Sequence, residues 1–166
     1  MLDVIVVGGG IFGCIITKKL RSMGMCVQLI DQEKKGAGSK PAACLIKPSW
    51  ISSLGKEVTV PAMELLRDLY DVQDIKFKTS VLSTTVHWID PRTILSETKW
   101  VGEIKKIHPD NGVELHDGTI LRARHLIVAA GIWTNDILPE EFKVEGLVGR
   151  TGVAYTWKGQ MGYPWS

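Results

Sequence analysis

Residues Met1–Asp31 constrain the fold of this chain more than any other stretch. Asp3-Val4-Ile5-Val6-Val7 is a short apolar run that does not alternate, which predicts a parallel strand buried on both faces. Gly8-Gly9-Gly10-Ile11-Phe12-Gly13 follows directly, and a helix is predicted from Ile11 to about Met23. Its inward face holds Ile15, Ile16 and Leu20, and Ser22 to Gly24 close it. Met25–Asp31 then reads as a second parallel strand ending in an acid. Strand, glycine turn, helix and strand in this order mark a βαβ unit that binds a dinucleotide. Each glycine has a task in such a unit: Gly8 permits the tight turn, Gly10 lets the backbone approach a pyrophosphate, and Gly13 lets helix and strand pack closely. The helix amino end offers oriented N–H groups to the anion. Asp31 lies eighteen residues beyond Gly13, near the spacing of an acid that accepts the adenosine ribose hydroxyls.

A chain of 166 residues buries one core with a small appendage, which is short for an oxidoreductase with a separate substrate domain. A formal charge of +2 with scattered lysines does not suggest a nucleic-acid surface. Lys18, Lys19 and Arg21 read as the solvated back of the first helix. Cys14, Cys26 and Cys44 are odd in number and have apolar neighbours, so they read as reduced, mostly buried thiols in a cytoplasmic or equivalent compartment. The apolar stretch Val4–Thr17 is too short to span a bilayer, is interrupted by four glycines and follows Asp3 instead of a basic leader. The spacing of His87, His108, His116 and His125 implies no metal site.

Gln32–Ser49 is rich in Gly, Lys, Ser and Pro and reads as a loop. Thr59 is the expected cap of a second helix with Pro61 in its first turn, and Met63, Leu66, Leu69 and Tyr70 form its buried stripe. Lys76–Ile89 favours strand, as does Val101–His108. Pro109-Asp110-Asn111-Gly112 and Asp117-Gly118 are turn signals between Val113–Leu115 and Thr119–Leu121. His125–Gly131 reads as a buried strand ending in glycine, and Trp133–Leu138 as a short helix or turn. Val148–Trp157 is a strand candidate.

Three segments together resemble the amino-terminal part of the FAD-dependent oxidoreductases related to D-amino-acid oxidase, glycine oxidase and sarcosine oxidase. They are Asp3–Asp31, the Gly36–Pro48 run GAGSKPAACLIKP, and Trp100–Trp133, which contains DGTILRARHLIVAAGIW. The resemblance implies FAD as cofactor. It carries pyrophosphate contacts to Gly8, Gly10, Ile11 and Gly13, and the ribose contact to Asp31, where the family more often has Glu. Gly38, Ser39 and Lys40 would lie near the phosphates or ribityl chain, and Ala42, Ala43, Cys44 and Leu45 near the flavin ring. A glycine usual in that segment is replaced by Ala43 or Cys44. Val101 would touch adenine through its backbone, and Ala129, Ala130 and Gly131 would pass close to the dinucleotide.

The expected fold is α/β: a Rossmann-like FAD-binding domain with a parallel sheet and an antiparallel β-hairpin region, the substrate domain being abbreviated or missing. Residues 1–145 would form this domain, and 146–166 an edge strand and tail that cross into a missing domain or meet a protein partner. The implied chemistry is oxidation of the C–N bond of a small amine or amino acid by hydride transfer to flavin, giving an imine that hydrolyses. The alternative is a noncatalytic structural or interaction subunit that retains the fold. Arg92 and Arg150 are the arginines weighed as clamps for a substrate carboxylate, but neither sits in a motif, and no residue is assigned a catalytic role.

Overall fold

A computed structural model of the chain describes residues 1–47, 49, 55–78 and 83–149. The amino-terminal unit comprises β1 (Leu2–Val7), α1 (Ile11–Ser22) and β2 (Val27–Asp31). There follow β3 (Leu45–Ile46), α2 (Lys56–Leu69), β4 (Gln73–Lys78), β5 (Ser83–Trp88) and α3 (Pro91–Ile94). The remaining elements are β6 (Trp100–Val101), β7 (Ile104–Ile107), β8 (Gly112–Leu115), β9 (Ile120–Val128) and α4 (Thr134–Ile137). The strands form a six-stranded sheet in the order β6-β2-β1-β9-β8-β7 and a three-stranded sheet in the order β3-β5-β4. Pairing is parallel from β6 through β2 and β1 to β9, and antiparallel through β8 to β7. This is a mixed sheet with an antiparallel hairpin region, consistent with a Rossmann-like FAD-binding fold.

The unbroken apolar run of β1 follows from burial on both faces. Val4 and Val6 join Cys14, Val27 and Leu29 on the side that carries α1. Ile5 and Val7 join Ile30, Ile104, Val113 and Leu115 on the other, beneath the β7–β8 hairpin. Each fully buried side chain of this size contributes about 1.5–3 kcal/mol, so this strand is the centre of both cores.

β9 has two partners in succession. Ile120, Leu121 and Arg122 pair with β8, and Ala123 to Val128 run beside β1. The second half is less buried than its apolar sequence predicts: His125 is exposed and Leu126, Ile127 and Val128 are half-buried. The reason is pairing, because among the described residues this half borders β1 alone.

The contact face of α1 also differs from expectation. Ile15, Ile16 and Leu20 are only half-buried, and the fully buried residues are Gly13, Cys14 and Thr17. Small side chains at the contact bring the helix backbone down onto the strands. The closest approach is at Gly13, where a Cβ would overlap the carbonyl oxygen of Gly8. Gly8 itself has φ +102° and its own Cβ would overlap the Ala129 carbonyl, so only glycine fits this turn. The basic residues behind α1 are not simply solvated: Arg21 bonds Glu97 at 2.9 Å and the carbonyls of Val27 and Thr98, and Lys18 lies 4.1 Å from the centre of the Tyr70 ring.

Three expected elements are corrected. α2 starts at Lys56 after Gly55, so Thr59 is a buried residue inside the helix and not its cap, and Pro61 lies beyond the first turn. Lys76–Ile89 is not one strand, since β4 and β5 pair antiparallel. Val101–His108 also divides, because Val101 pairs with Asp31 of β2 whereas Ile104–Ile107 pairs with β8. Cys26 is exposed, so not all three thiols are sheltered. The strand expected at Val148–Trp157, with its proposed docking edge, lies outside the described residues from position 150 onward. Among the described residues no helix is long and apolar enough to cross a membrane.

Two outcomes test this packing. Helix propensity alone predicts that Gly13→Ala stabilises by about 1 kcal/mol. The overlap with Gly8 instead predicts a loss of roughly 3 kcal/mol or more, measurable by urea unfolding. Tyr70 is buried, its hydroxyl has no hydrogen-bond partner among the described residues, and burial pushes its pKa up to about 12. The neutral phenol is therefore favoured in the fold, and its contribution is present below pH 10 and lost between about pH 10 and 12. Tyr70→Phe should be neutral or stabilising at pH 8, and the difference in melting temperature between the two proteins should widen with alkaline pH in favour of Phe.

Candidate functional site

The turn between β1 and α1 stands at the point where the chain leaves β1 for β2 on one side and later returns as β9 on the other. Ligands of open α/β sheets bind in the crevice beyond the strand ends at such a switch point. Here the crevice is a cleft of about 360 Å³. Gly8 and Gly10 form its floor, Asp31 and the loop to Ser39 one wall, and Ala129 to Trp133 the other. The strand ends are tied together by backbone bonds: Gly8 N–H donates to Ile30 at 2.8 Å, and Ala129 N–H donates to Val7 at 2.7 Å.

Asp31 is positioned by its own surroundings. Its Oδ2 accepts the N–H of Gly9, and its Oδ1 accepts that of Glu33 at 2.5 Å. Glu33 is in the left-handed region at φ +50° and pairs with Lys99 at 3.2 Å, which holds the loop after β2 in place. Each carboxylate oxygen retains a lone pair for a further donor.

At the amino end of α1, Gly10 supplies no side-chain cap and the first turn carries no acid. The hydroxyl of Ser39, from the far wall, accepts the Ile11 N–H at 3.0 Å. Among the described residues the N–H groups of Phe12 and Gly13 have no acceptor, leaving donors and the positive end of the helix dipole at the cleft. Cys14 donates its thiol to the Gly9 carbonyl at 3.3 Å, and burial pushes its pKa up, with Lys99 opposing. It is a packing thiol under the turn.

Of the sequence-derived candidates, Gly8, Gly10, Asp31, Gly38, Ser39, Ala129, Ala130 and Gly131 line the cleft. Ile11 and Gly13 stand beside it on α1. Lys40, Ala42, Ala43, Cys44, Leu45 and Val101 are not part of its lining. Cys44 has φ +49°, the conformation that favours glycine, in the segment where the family resemblance expects one. Burial, then Asp90, pushes its thiol pKa up. Sequence reading assigned no contact to Gly9, Lys34 or Ile104. The middle glycine of the triplet was a visible signal, whereas Lys34 and Ile104 reach the cleft only through the fold. The histidines do not converge: His87 pairs with Asp74 at 2.8 Å and His108 with Glu114 at 3.0 Å. Arg92 is exposed and pairs with Asp90.

No family model and no curated protein sequence matches this chain. Solved structures do. The chain is similar to iminodiacetate oxidase (IdaA) from Chelativorans sp. BNC1, with 16% identity and a TM-score of 0.56 over 81% of this chain and 57% of that one. Glycine oxidase from Bacillus cereus ATCC 14579 is similar at 13% identity and a TM-score of 0.50, over 82% of this chain and 57% of that one. PqsL, a probable FAD-dependent monooxygenase from Pseudomonas aeruginosa, is similar at 21% identity and 0.50, over 79% of this chain and 43% of that one.

The chain shares its fold with these structures, a mixed sheet with a hairpin region consistent with a Rossmann-like FAD-binding fold. The chain spans between 43% and 57% of the length of these structures.

Among the described residues Ser39 is the only side chain that caps α1, so Ser39→Ala should cost about 1 kcal/mol in the ligand-free protein. Ser39→Thr should retain most of that stability, with both read by denaturant unfolding.

Proposed function

We propose that this chain binds FAD in the cleft and serves an oxidoreductase that oxidises the C–N bond of a small amine or amino acid. The observation that carries the reading is the meeting of the glycine turn, the unpartnered amino end of α1 and the Asp31 carboxylate in one cleft at the switch point of the sheet.

The residues present fit the cofactor. The N–H groups of Phe12 and Gly13 await an acceptor, and a pyrophosphate supplies one. Asp31 retains lone pairs for ribose hydroxyls. Gly8, Gly10, Ala129, Ala130 and Gly131 keep backbone, not side chains, against the ligand. Ile11 and Gly13 complete the pyrophosphate turn, and Gly38 and Ser39 flank the phosphates. Lys40, Ala42, Ala43, Cys44, Leu45 and Val101 belong to the same reading as contacts along the extended cofactor. Bound there, flavin supplies a hydride acceptor. This chain's own part is to bind, orient and shield: the apolar walls from Ile30, Ile104 and Ile137 exclude water along one side. The amine class is favoured by the likeness to proteins named as oxidases of glycine and iminodiacetate, both amine-bearing carboxylates. Residues 1–145 serve as the cofactor domain, and the unpaired cysteines suit a reducing, cytoplasmic setting.

Purified without denaturation, the chain should show a flavin absorption spectrum, either as isolated or after addition of FAD. Folded protein with no affinity for FAD would remove the reading. In Gly10→Val the added side chain meets Ser39, whose Oγ lies 2.8 Å from the Cβ position, and blocks the backbone approach. FAD affinity should fall roughly tenfold or more in that variant and about fivefold in Asp31→Ala. Unchanged affinity in both folded variants contradicts the site. Anaerobic bleaching of bound flavin by a panel of small amines and amino acids then tests the substrate class.

A further inference from the structure

The cleft contains one side-chain cation among its described lining residues, Lys34, and the glycine-turn reading gives it no task. Its surroundings do not neutralise it. Among the described residues no carboxylate pairs with Lys34: Glu33 goes to Lys99, and the two oxygens of Asp31 take backbone N–H groups. The ammonium instead lies 5.6 Å from the centre of the Trp133 ring, on the opposite wall. The contact spans the cleft from the loop after β2 to the turn after β9.

We propose that Lys34 is the side chain that binds the pyrophosphate of the dinucleotide, moving off the face of Trp133 as it does so. This rests on the reading that the cleft holds a dinucleotide. Three observations support it. A diphosphate brings full negative charge into a largely apolar cleft, and burying charge without a counter-charge is costly. The N–H groups of α1 carry only partial charge, so a full cation completes the match. Finally, an exposed cation–π contact holds an ammonium by only about two- to fivefold, less than a charge-assisted hydrogen bond to phosphate. Trp133 is thus a resting place that an anion displaces readily.

The test is titration of the full chain with FAD, adenosine diphosphate and adenosine at low and high salt, comparing wild type with Lys34→Gln and Lys34→Arg. Lys34→Gln should weaken FAD and adenosine diphosphate about five- to tenfold at low salt, flatten the salt dependence, and leave adenosine unchanged. Lys34→Arg should stay within about twofold of wild type, and matching circular dichroism spectra establish that all three fold. If wild type binds FAD and Lys34→Gln binds it equally well with the same salt dependence, the role of Lys34 is overturned and the FAD reading stands. An equal loss for adenosine also overturns it, because the effect is then not on phosphate. If wild type binds neither FAD nor adenosine diphosphate, both readings fall together.

Discussion

Helix α1 rests on the carbonyl of the turn that leads into it, and the position of every other part of the cleft follows from that contact. With no side chain at Gly13, the helix backbone closes on Gly8. The same approach buries Cys14 and Thr17 against the sheet and lets the Cys14 thiol bond the Gly9 carbonyl. Had the helix been held away by a larger residue, its amino end would not project over the end of β1. The polar donors of the first turn would then face solvent instead of a cleft bounded by protein.

The opposite wall is built by β9, which has two partners in turn within the six-stranded sheet. Its first residues complete an antiparallel meander whose side chains cover Ile5, Val7 and Ile30. Its later residues run parallel to β1 and deliver Ala129 to the glycine turn. The small residues that follow let the two strand ends meet backbone to backbone. Asp31 reaches the same point from β2, held by the N–H groups of Gly9 and Glu33. Thus one strand end provides the turn, a second the acid and a third the narrow wall.

Legibility in the sequence tracked the range of the interactions responsible. β1, α1 and β2 were readable because a continuous apolar run, a glycine triplet and a helical period are local properties, and their observed bounds differ from expectation by only one or two residues. The hairpin around Asp117-Gly118 was readable for the same reason. The start of α2 was not, since Thr59 carries a good cap signal yet is buried by tertiary packing. Nor was the division at Gly102, which depends on Val101 pairing with β2 while Ile104 turns to β8. In the cleft, Gly8, Gly10 and Asp31 followed from spacing, whereas Ser39 reaches the helix from twenty-eight residues away and Lys34 meets Trp133 across the gap.

The order of residues in Asp3–Asp31 was sufficient to specify a dinucleotide-type unit, because its turn, helix and strand are selected by backbone sterics and short-range periodicity. That unit lacks a second wall for the cleft and a cap for its helix. Those come from β9 and Ser39, which only the folded chain brings to the same strand ends. Their position depends on strand pairing over long separations, and local sequence carries no record of that register.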